Sequence, residues 1–592
     1  MMSTKRPRIR HRHTLFLAVV LLHACGAGGA VVSSDASVRH QKMAGWGTSI
    51  IWWSTDVPYY DQAWRAAYRD LGLNMLRIDM KKDVLVDPGG DLRVPVHLGP
   101  DLQANIDKMD FANFKTQVFG DLANWLQQDA LEPRRVKIVG SVWSPPHWMK
   151  GPTGWDQAHV LDPGVRKPTP WLSDNQIGDS IGGRLLQTES NREQFARFLA
   201  AWVEGFEQHH GVPLHAISIQ NEVSYENPFD SATYLVGLNR ATDQYWQYAN
   251  ALKTVKDEFE RQNITTNIKG PHMAHIGPRP SFPWALTQQM GFIAAVKGHT
   301  DDTLIDFIDY YNSNDYQGTD EDAVKMLAAY YRGMDQIAGA WPTWTVAPGI
   351  EQDRKPVWIS ESAGSSGQWL DGGGGTPGTG AITVALKMFN AIVHGQASAY
   401  LYWQMTETNG DADETTQTLL ASSAAATPLD SKKYASFKHF SRYVRPGAQR
   451  IETSFENGLA SIGGASEYDT INSLNVAGFV HEQDQTLTYV LLNLTGADES
   501  VTIEIEPALA VARLHAFATS QTQSFAPLND LLVQNDQVSL NVPSYSLITL
   551  WGQTAPIPEP GVLFAVVLMV AVVAQRRARH EREWSNSKLN HE

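Results

Sequence analysis

The chain of 592 residues holds one cysteine, Cys25, which excludes an intrachain disulfide and a cysteine-based metal site. It also lacks a surplus of basic charge. Lys and Arg number 48 against 63 Asp and Glu, a net charge of −15, so nothing in the composition offers a basic groove to nucleic acid. Its two apolar runs, LFLAVVLL (15–22) and VLFAVVLMVAVVA (562–574), are both shorter than the ~20 residues that a stable spanning helix needs. The glycine run 371–375, DGGGG, has no lysine after it of the kind that completes a phosphate cradle, and it reads as a flexible loop. His272 and His275 form a His-x-x-His pair with no third ligand nearby, which favours two satisfied loop histidines over a metal site. Neither a metal nor an organic cofactor is expected.

What is present is an ordinary globular composition, 43% hydrophobic and 19% charged, with 19 Trp, 19 Tyr and 20 Phe. Most of those rings belong to cores. An aromatic-rich cleft nevertheless suits carbohydrate, because sugar rings present apolar C–H faces to flat aromatic surfaces.

Both ends read as addresses. Lys5, Arg6, Arg8, Arg10 and Arg12 precede the first apolar run, and small residues come after it, so residues 1–30 read as an export signal. The segment 22–25, LHAC, loosely resembles a lipoprotein box, although His23 fits it poorly. Residues 556–592 carry Pro558-Glu559-Pro560, the apolar segment 562–574 and then Arg576, Arg577, Arg579 and Arg582. This resembles the PEP-CTERM sorting signal, which implies delivery to the cell surface through an exosortase-like sorting enzyme after transient anchoring. A plain tail anchor is the alternative.

Between the two addresses, β-prone runs alternate with helix-period segments, the pattern of a parallel α/β fold. Eight runs qualify as strands: 44–53, 73–79, 136–143, 215–221, 266–271, 304–311, 356–361 and 398–403. The fold class predicted is α/β, a (β/α)8 barrel over 44–443 with an accessory C-terminal β-sandwich over 444–553. In the sandwich region short alternating runs such as 486–494 and 545–551 have no helical partners.

Two of the barrel runs stop on a glutamate. Glu222 closes HAISIQNE and Glu361 closes KPVWISE, which places both carboxylates where (β/α)8 barrels carry their chemistry. Each alone would serve equally well as a helix cap. As a pair they suit double displacement at a glycosidic bond, one protonating the leaving oxygen while the other attacks the sugar.

These residues resemble glycoside hydrolase family 30. GWGTSIIWW (45–53) is similar to the family's opening strand, VWSPPHWMK (142–150) to its Ser-Pro-Pro-x-Trp-Met segment, SIQNE (218–222) to the acid/base strand and WISE (358–361) to the nucleophile strand. FSRYVRPGAQRI (440–451) resembles the junction from barrel to sandwich, and the resemblance implies that residues 31–43 contribute to the sandwich. The resemblance implies Glu222 as general acid/base, Glu361 as nucleophile, Asn221 on the sugar 2-hydroxyl and Arg77 beside the nucleophile. It further implies Tyr316 as a partner of the nucleophile, with Trp143 and Trp403 as sugar platforms or core. Near Tyr316 the family usually shows His, whereas this chain has Asn314 and Asp315. Glu226, four residues past Glu222, is read as serving the loop.

The expected activity is therefore that of an exported retaining β-glycoside hydrolase acting on a polysaccharide or glycoconjugate. The Trp52-Trp53 pair most resembles the endo-β-1,6-galactanase branch, with xylanase, β-glucanase and glucosylceramidase-like activities as alternatives. A non-catalytic surface carbohydrate-binding protein and a structural envelope protein are the rivals from other classes. Both would have no use for the two glutamates. Oligomeric state is not legible. The mature protein is expected to begin near Val31 and to lose the segment beyond the Pro-Glu-Pro motif. Intact mass of surface-released protein checks this, and a species retaining Arg576–Arg582 would indicate a permanent anchor.

Overall fold

The computed structural model describes residues 29–554 apart from 51–63, 86–94, 152–183, 186–188, 225–230, 237–246, 275, 277–284, 335, 338–347, 407–416 and 421–430. Both terminal addresses, Trp52, Trp53, Glu226 and His275 lie outside the described residues. Among those described, no helix is long and apolar enough to cross a membrane.

Strand β1 (Ala30–Lys42) precedes eight parallel strands: β2 (Gly45–Ile50), β3 (Met75–Asp79), β4 (Lys137–Ser141), β5 (Ala216–Ser218), β6 (Asn267–Ile268), β7 (Tyr311–Asp315), β8 (Val357–Ser362) and β9 (Ala397–Gln404). They pair as β6-β5-β4-β3-β2-β9-β8-β7, and bridges from Lys269 to Tyr310 and from Met273 to Ser313 close the ring. Each strand leads into a helix: α1 (Arg65–Leu71), α2 (Phe114–Asp129), α3 (Glu189–His210), α4 (Tyr248–Gln262), α5 (Ala285–Lys297), α6 (Glu321–Arg332), α7 (Ile382–Val393) and α8 (Lys432–Ser441). The result is a (β/α)8 barrel.

Local sequence explains many of the element ends. Asn113, Asp320 and Ser431 cap α2, α6 and α8, each accepting a backbone N–H of the first turn on its side chain. Gly72 ends α1 in the left-handed conformation (φ 66°), and Asn263 does the same for α4 (φ 58°). The apolar stripe on α3, Phe195, Phe198, Leu199, Trp202 and Phe206, is fully buried.

The sixth strand departs from expectation. Residues Leu304–Phe307 form a 3-10 turn, and the strand is the polar run Tyr311–Asp315. Hydrophobicity pointed to the wrong segment because this strand carries Asn312, Ser313, Asn314 and Asp315 in place of an apolar run, with Asn314 hydrogen-bonded to His272, Ser360 and Glu222. Strand β5 also ends at Ser218, leaving Asn221 and Glu222 on the irregular segment beyond it.

After the barrel come β10 (Gln449–Phe455), β11 (Leu474–His481), β12 (Thr486–Asn493), β13 (Glu499–Glu504), β14 (Arg513–Thr519), β15 (Gln537–Val542) and β16 (Ser546–Gln553). With β1 they form one sheet in the order β14-β16-β12-β11-β10-β1-β13-β15, wrapped around a core that includes Val32, Ile451, Leu491, Val501, Ile503 and Leu550. Strand β1 sits between β10 (antiparallel) and β13 (parallel), and its two register shifts bend the sheet there into a sandwich.

Barrel and sandwich share buried polar contacts. Arg445, in the VRPG junction, donates to the Gly72 carbonyl at 2.7 Å and pairs with Glu132 at 2.8 Å. On α8, His439 bridges Thr549 and Thr519 of the sandwich, each at 2.8 Å. The glycine run is a closed turn, with Gly372 N–H on the Thr376 carbonyl at 3.0 Å. Just before it, Trp369 donates to the sandwich carbonyl of Tyr545 at 2.8 Å.

Gly72 is required twice over. Its φ suits glycine, and a Cβ there would stand 2.1 Å from Arg445 Nη1. Gly72→Ala is expected to cost at least about 1–2 kcal/mol and lower the thermal midpoint. Gly99→Ala, where a Cβ would meet nothing, is expected to stay within about 0.5 kcal/mol. Thermal unfolding of both variants at one scan rate provides the check.

Candidate active site

Barrel strands point alternate residues inward, so the interior is built in layers. The lowest layer is apolar, with Met75, Val139, Ala216, Trp358, Ala399 and Leu401 in one cluster. The next layer toward the C-terminal ends is polar: Arg77, Ser141, Ser218 and Lys269 are all at most 1% exposed. Above it stand the two glutamates, Glu222 at 7% and Glu361 at 4% exposure.

Arg77 organises this region. Its Nε donates to Ser141 Oγ at 3.1 Å, Nη1 to Glu361 Oε2 at 2.5 Å, and Nη2 to Asn221 Oδ1 at 2.5 Å. One guanidinium therefore reaches the carboxylate of one glutamate and the neighbour of the other. Its flat face lies 4.2 Å from the centroid of the Trp143 ring, a cation–π contact.

Glu361 is aimed by a bulge. Strand β8 pairs Ile359 with Ser313 but Glu361 with Asn314, so one residue of β8 is left over. Ser360 and Glu361 thereby both reach interior partners. The hydroxyl of Tyr316 donates to Glu361 Oε1. Burial foremost, and then the charge of Glu361, push the Tyr316 hydroxyl well above its ordinary pKa, so it stays a donor throughout the physiological range.

Glu222 is held differently. Its backbone lies in the left-handed region (φ 52°), an unfavourable conformation for a residue with a Cβ. Hydrogen bonds on either side hold it there: Asn221 N–H donates to the Val142 carbonyl at 2.6 Å, and Val223 N–H to the His272 carbonyl at 2.9 Å. At its side chain, Asn314 Nδ2 donates to Glu222 Oε1 at 3.0 Å. A cation touches Glu361, and the Asn314 amide touches Glu222.

The structure brings Arg77, Asn221, Glu222, Tyr316 and Glu361 into one hydrogen-bonded neighbourhood. Trp143 and Trp403 meet there with ring centroids 6.1 Å apart, each 6% exposed. The face of Trp143 that lies on Arg77 is closed to a sugar. Sequence reading missed Asn314, Ser360 and Lys269 as parts of the site. The available signal was the polar run NSND (312–315) where a core strand was required. His272 lies on the irregular segment after β6, fully buried, and its ring faces Asn314 and Ser360, so it is a satisfied histidine of the barrel interior.

No protein-family model matches the chain. Solved structures do. The catalytic domain of GH30 xylanase C from Talaromyces cellulolyticus superposes with a TM-score of 0.59 at 18% identity, over 88% of this chain and 100% of that one. A GH30 endoxylanase from Clostridium papyrosolvens C71 gives 0.56 at 18% identity, over 88% and 100%. An endo-β-1,6-glucanase gives 0.53 at 14% identity, over 90% and 96%. At such identities the likeness establishes a shared barrel-and-sandwich fold.

Breaking a buried ion pair from one side leaves an uncompensated charge. Arg77→Met should therefore destabilise the barrel by about 3 kcal/mol, while the double variant Arg77→Met, Glu361→Gln should recover part of that loss. Chemical denaturation of the two variants against the parent checks this. Equal stability of all three would show that the pair contributes nothing.

Proposed function

We propose that this protein is a retaining β-glycoside hydrolase of the family 30 type, with Glu361 as nucleophile and Glu222 as general acid/base. The observation that carries the proposal is the pair of buried glutamates at the C-terminal end of one barrel, one of them held by a guanidinium and a tyrosine hydroxyl. A nucleophile must be ionised, and Glu361 has the Arg77 guanidinium at 2.5 Å and the Tyr316 hydroxyl besides. A general acid must hold its proton until the leaving oxygen takes it, and Glu222, buried beside the Asn314 amide, is placed for that role. The xylanase and glucanase folds support the same reading.

In the first step Glu361 attacks the anomeric carbon and forms a glycosyl ester, while Glu222 gives its proton to the departing glycosidic oxygen. Glu222, now ionised, then takes a proton from water, whose oxygen attacks the anomeric carbon and frees Glu361. Two inversions give net retention. Asn221, held through Arg77, would meet the sugar 2-hydroxyl and stabilise the oxocarbenium-like transition state.

The substrate proposed is a β-linked polysaccharide, with β-1,6-galactan first on the resemblance of the opening strand. Xylan is second, on the fold shared with two xylanases. The proposed setting is the cell surface, reached through the two terminal addresses.

A panel of β-linked polysaccharides and aryl β-glycosides tests the activity, and proton NMR of the first-formed product tests the stereochemistry. A β-anomer is expected, and an α-anomer would exclude double displacement. Glu361→Ala should form no glycosyl-enzyme, and added azide should give the α-glycosyl azide. Glu222→Ala with azide should give the β-azide, so exchanged products would reverse the two assignments.

A further inference from the structure

Beneath Glu222 runs a chain of buried polar groups that the chemistry above does not use. It begins at Lys269, which is 0% exposed and donates from Nζ to Ser141 Oγ at 2.9 Å and to Ser218 Oγ at 3.1 Å. Ser218 Oγ faces His272 Nδ1 at 3.4 Å. On its other edge, His272 Nε2 is 2.7 Å from Asn314 Oδ1 and 2.9 Å from Ser360 Oγ. Ser360 closes the triangle by donating to Asn314 Oδ1 at 3.2 Å. Asn314 Nδ2 then donates to Glu222 Oε1 at 3.0 Å.

Donor and acceptor roles along this chain are read from its Glu222 end. The Glu222 carboxylate, once ionised, can only accept, so Asn314 turns Nδ2 toward it and Oδ1 toward His272. An amide oxygen 2.7 Å from Nε2 needs a donor there, so Nε2 carries the proton, while the Ser218 hydroxyl gives its hydrogen to Ser141 Oγ at 2.8 Å. Burial, together with the charges of Lys269 and Arg77, keeps the ring neutral by pushing its pKa well below the ordinary value. A neutral ring with Nε2–H donates to Asn314 Oδ1. That contact holds the Asn314 amide with its N–H end toward Glu222.

The consequence reaches the reacting group. An N–H aimed at Oε1 makes that oxygen the acceptor and leaves the acidic proton of Glu222 to Oε2. Were the amide reversed, its carbonyl oxygen would face Oε1 and pull the proton onto the wrong oxygen. His272 also holds the segment from behind, because its own carbonyl accepts Val223 N–H at 2.9 Å.

We propose that His272 is a positioning residue for proton transfer by Glu222, acting through the amide of Asn314. The proposal rests on the assignment of Glu222 as acid/base.

The test is a matched pair of β-glycosides of the sugar that the wild-type enzyme accepts, one leaving as 2,4-dinitrophenolate and one as an unactivated sugar. The quantity read is kcat/KM, which reports the first step alone. His272→Phe retains ring volume and loses the donor, and His272→Met serves if that variant does not fold. Either should lower kcat/KM for the sugar leaving group by about 10- to 100-fold, while the dinitrophenyl substrate, which departs without protonation, changes by less than about threefold. His272→Gln, which can still donate an N–H, should recover most of the loss. Asn314→Ala should show the same split, and the double variant should be no worse than the poorer single one, within about twofold. Equal losses on both substrates, a glutamine variant no better than the phenylalanine one, or additive effects would each overturn the proposal. A wild-type enzyme that turns over no member of the β-glycoside panel would instead overturn the glycosidase reading on which it stands.

Discussion

A guanidinium with no access to water must find acceptors on several sides, and Arg77 finds them on three strands and on the segment that leaves a fourth. Its hydrogen bonds reach Ser141, Ser49, Asn221 and Glu361. Desolvating a fully charged group is expensive, and only a closed ring of strands brings enough acceptors together to offset it. The same contact positions the carboxylate proposed to attack the sugar and the amide proposed to meet its 2-hydroxyl. The position of Arg77 thus couples the integrity of the barrel to the geometry of the site.

Polar layering carries that coupling further. A (β/α)8 interior is ordinarily filled with branched apolar side chains, and here only the lowest layer obeys the rule. The layer above consists of hydroxyls, a lysine and an arginine that satisfy one another. Buried polar networks of this kind are rigid when complete, because every alternative conformation leaves a donor or acceptor unpaired in a low-dielectric interior. Rigidity beneath Glu222 and Glu361 suits groups that must keep their aim through two chemical steps.

The sandwich is bound into the same molecule through side chains rather than through a flexible linker. Arg445 closes the end of α1 and reaches Glu132, and His439 spans two sandwich threonines. Strand β1 begins the described chain in the sandwich before the chain enters the barrel at β2. The chain therefore enters and leaves the barrel on the sandwich side, which favours the two units behaving as one body.

Sequence alone determined the alternation of β-prone and helical segments, the change of texture near residue 445 and the pair of glutamates, one near the end of its strand and one just past it. Each depends on local periodicity or on residue type at an abrupt boundary, and these survive without knowledge of neighbours. The sixth strand escaped because its inward residues, Asn312 and Asn314, are polar. The hydrogen bonds that satisfy Asn314 come from His272 past β6, Ser360 on β8 and Glu222 past β5, all distant in sequence. The bulge that turns both Ser360 and Glu361 inward, the positive φ of Glu222 and the stack of Arg77 on Trp143 are likewise products of pairing between remote strands. Residue type supplied the candidates. Closure of the barrel decided which of them touch, because orientation in a sheet depends on register with a partner that the local sequence does not encode.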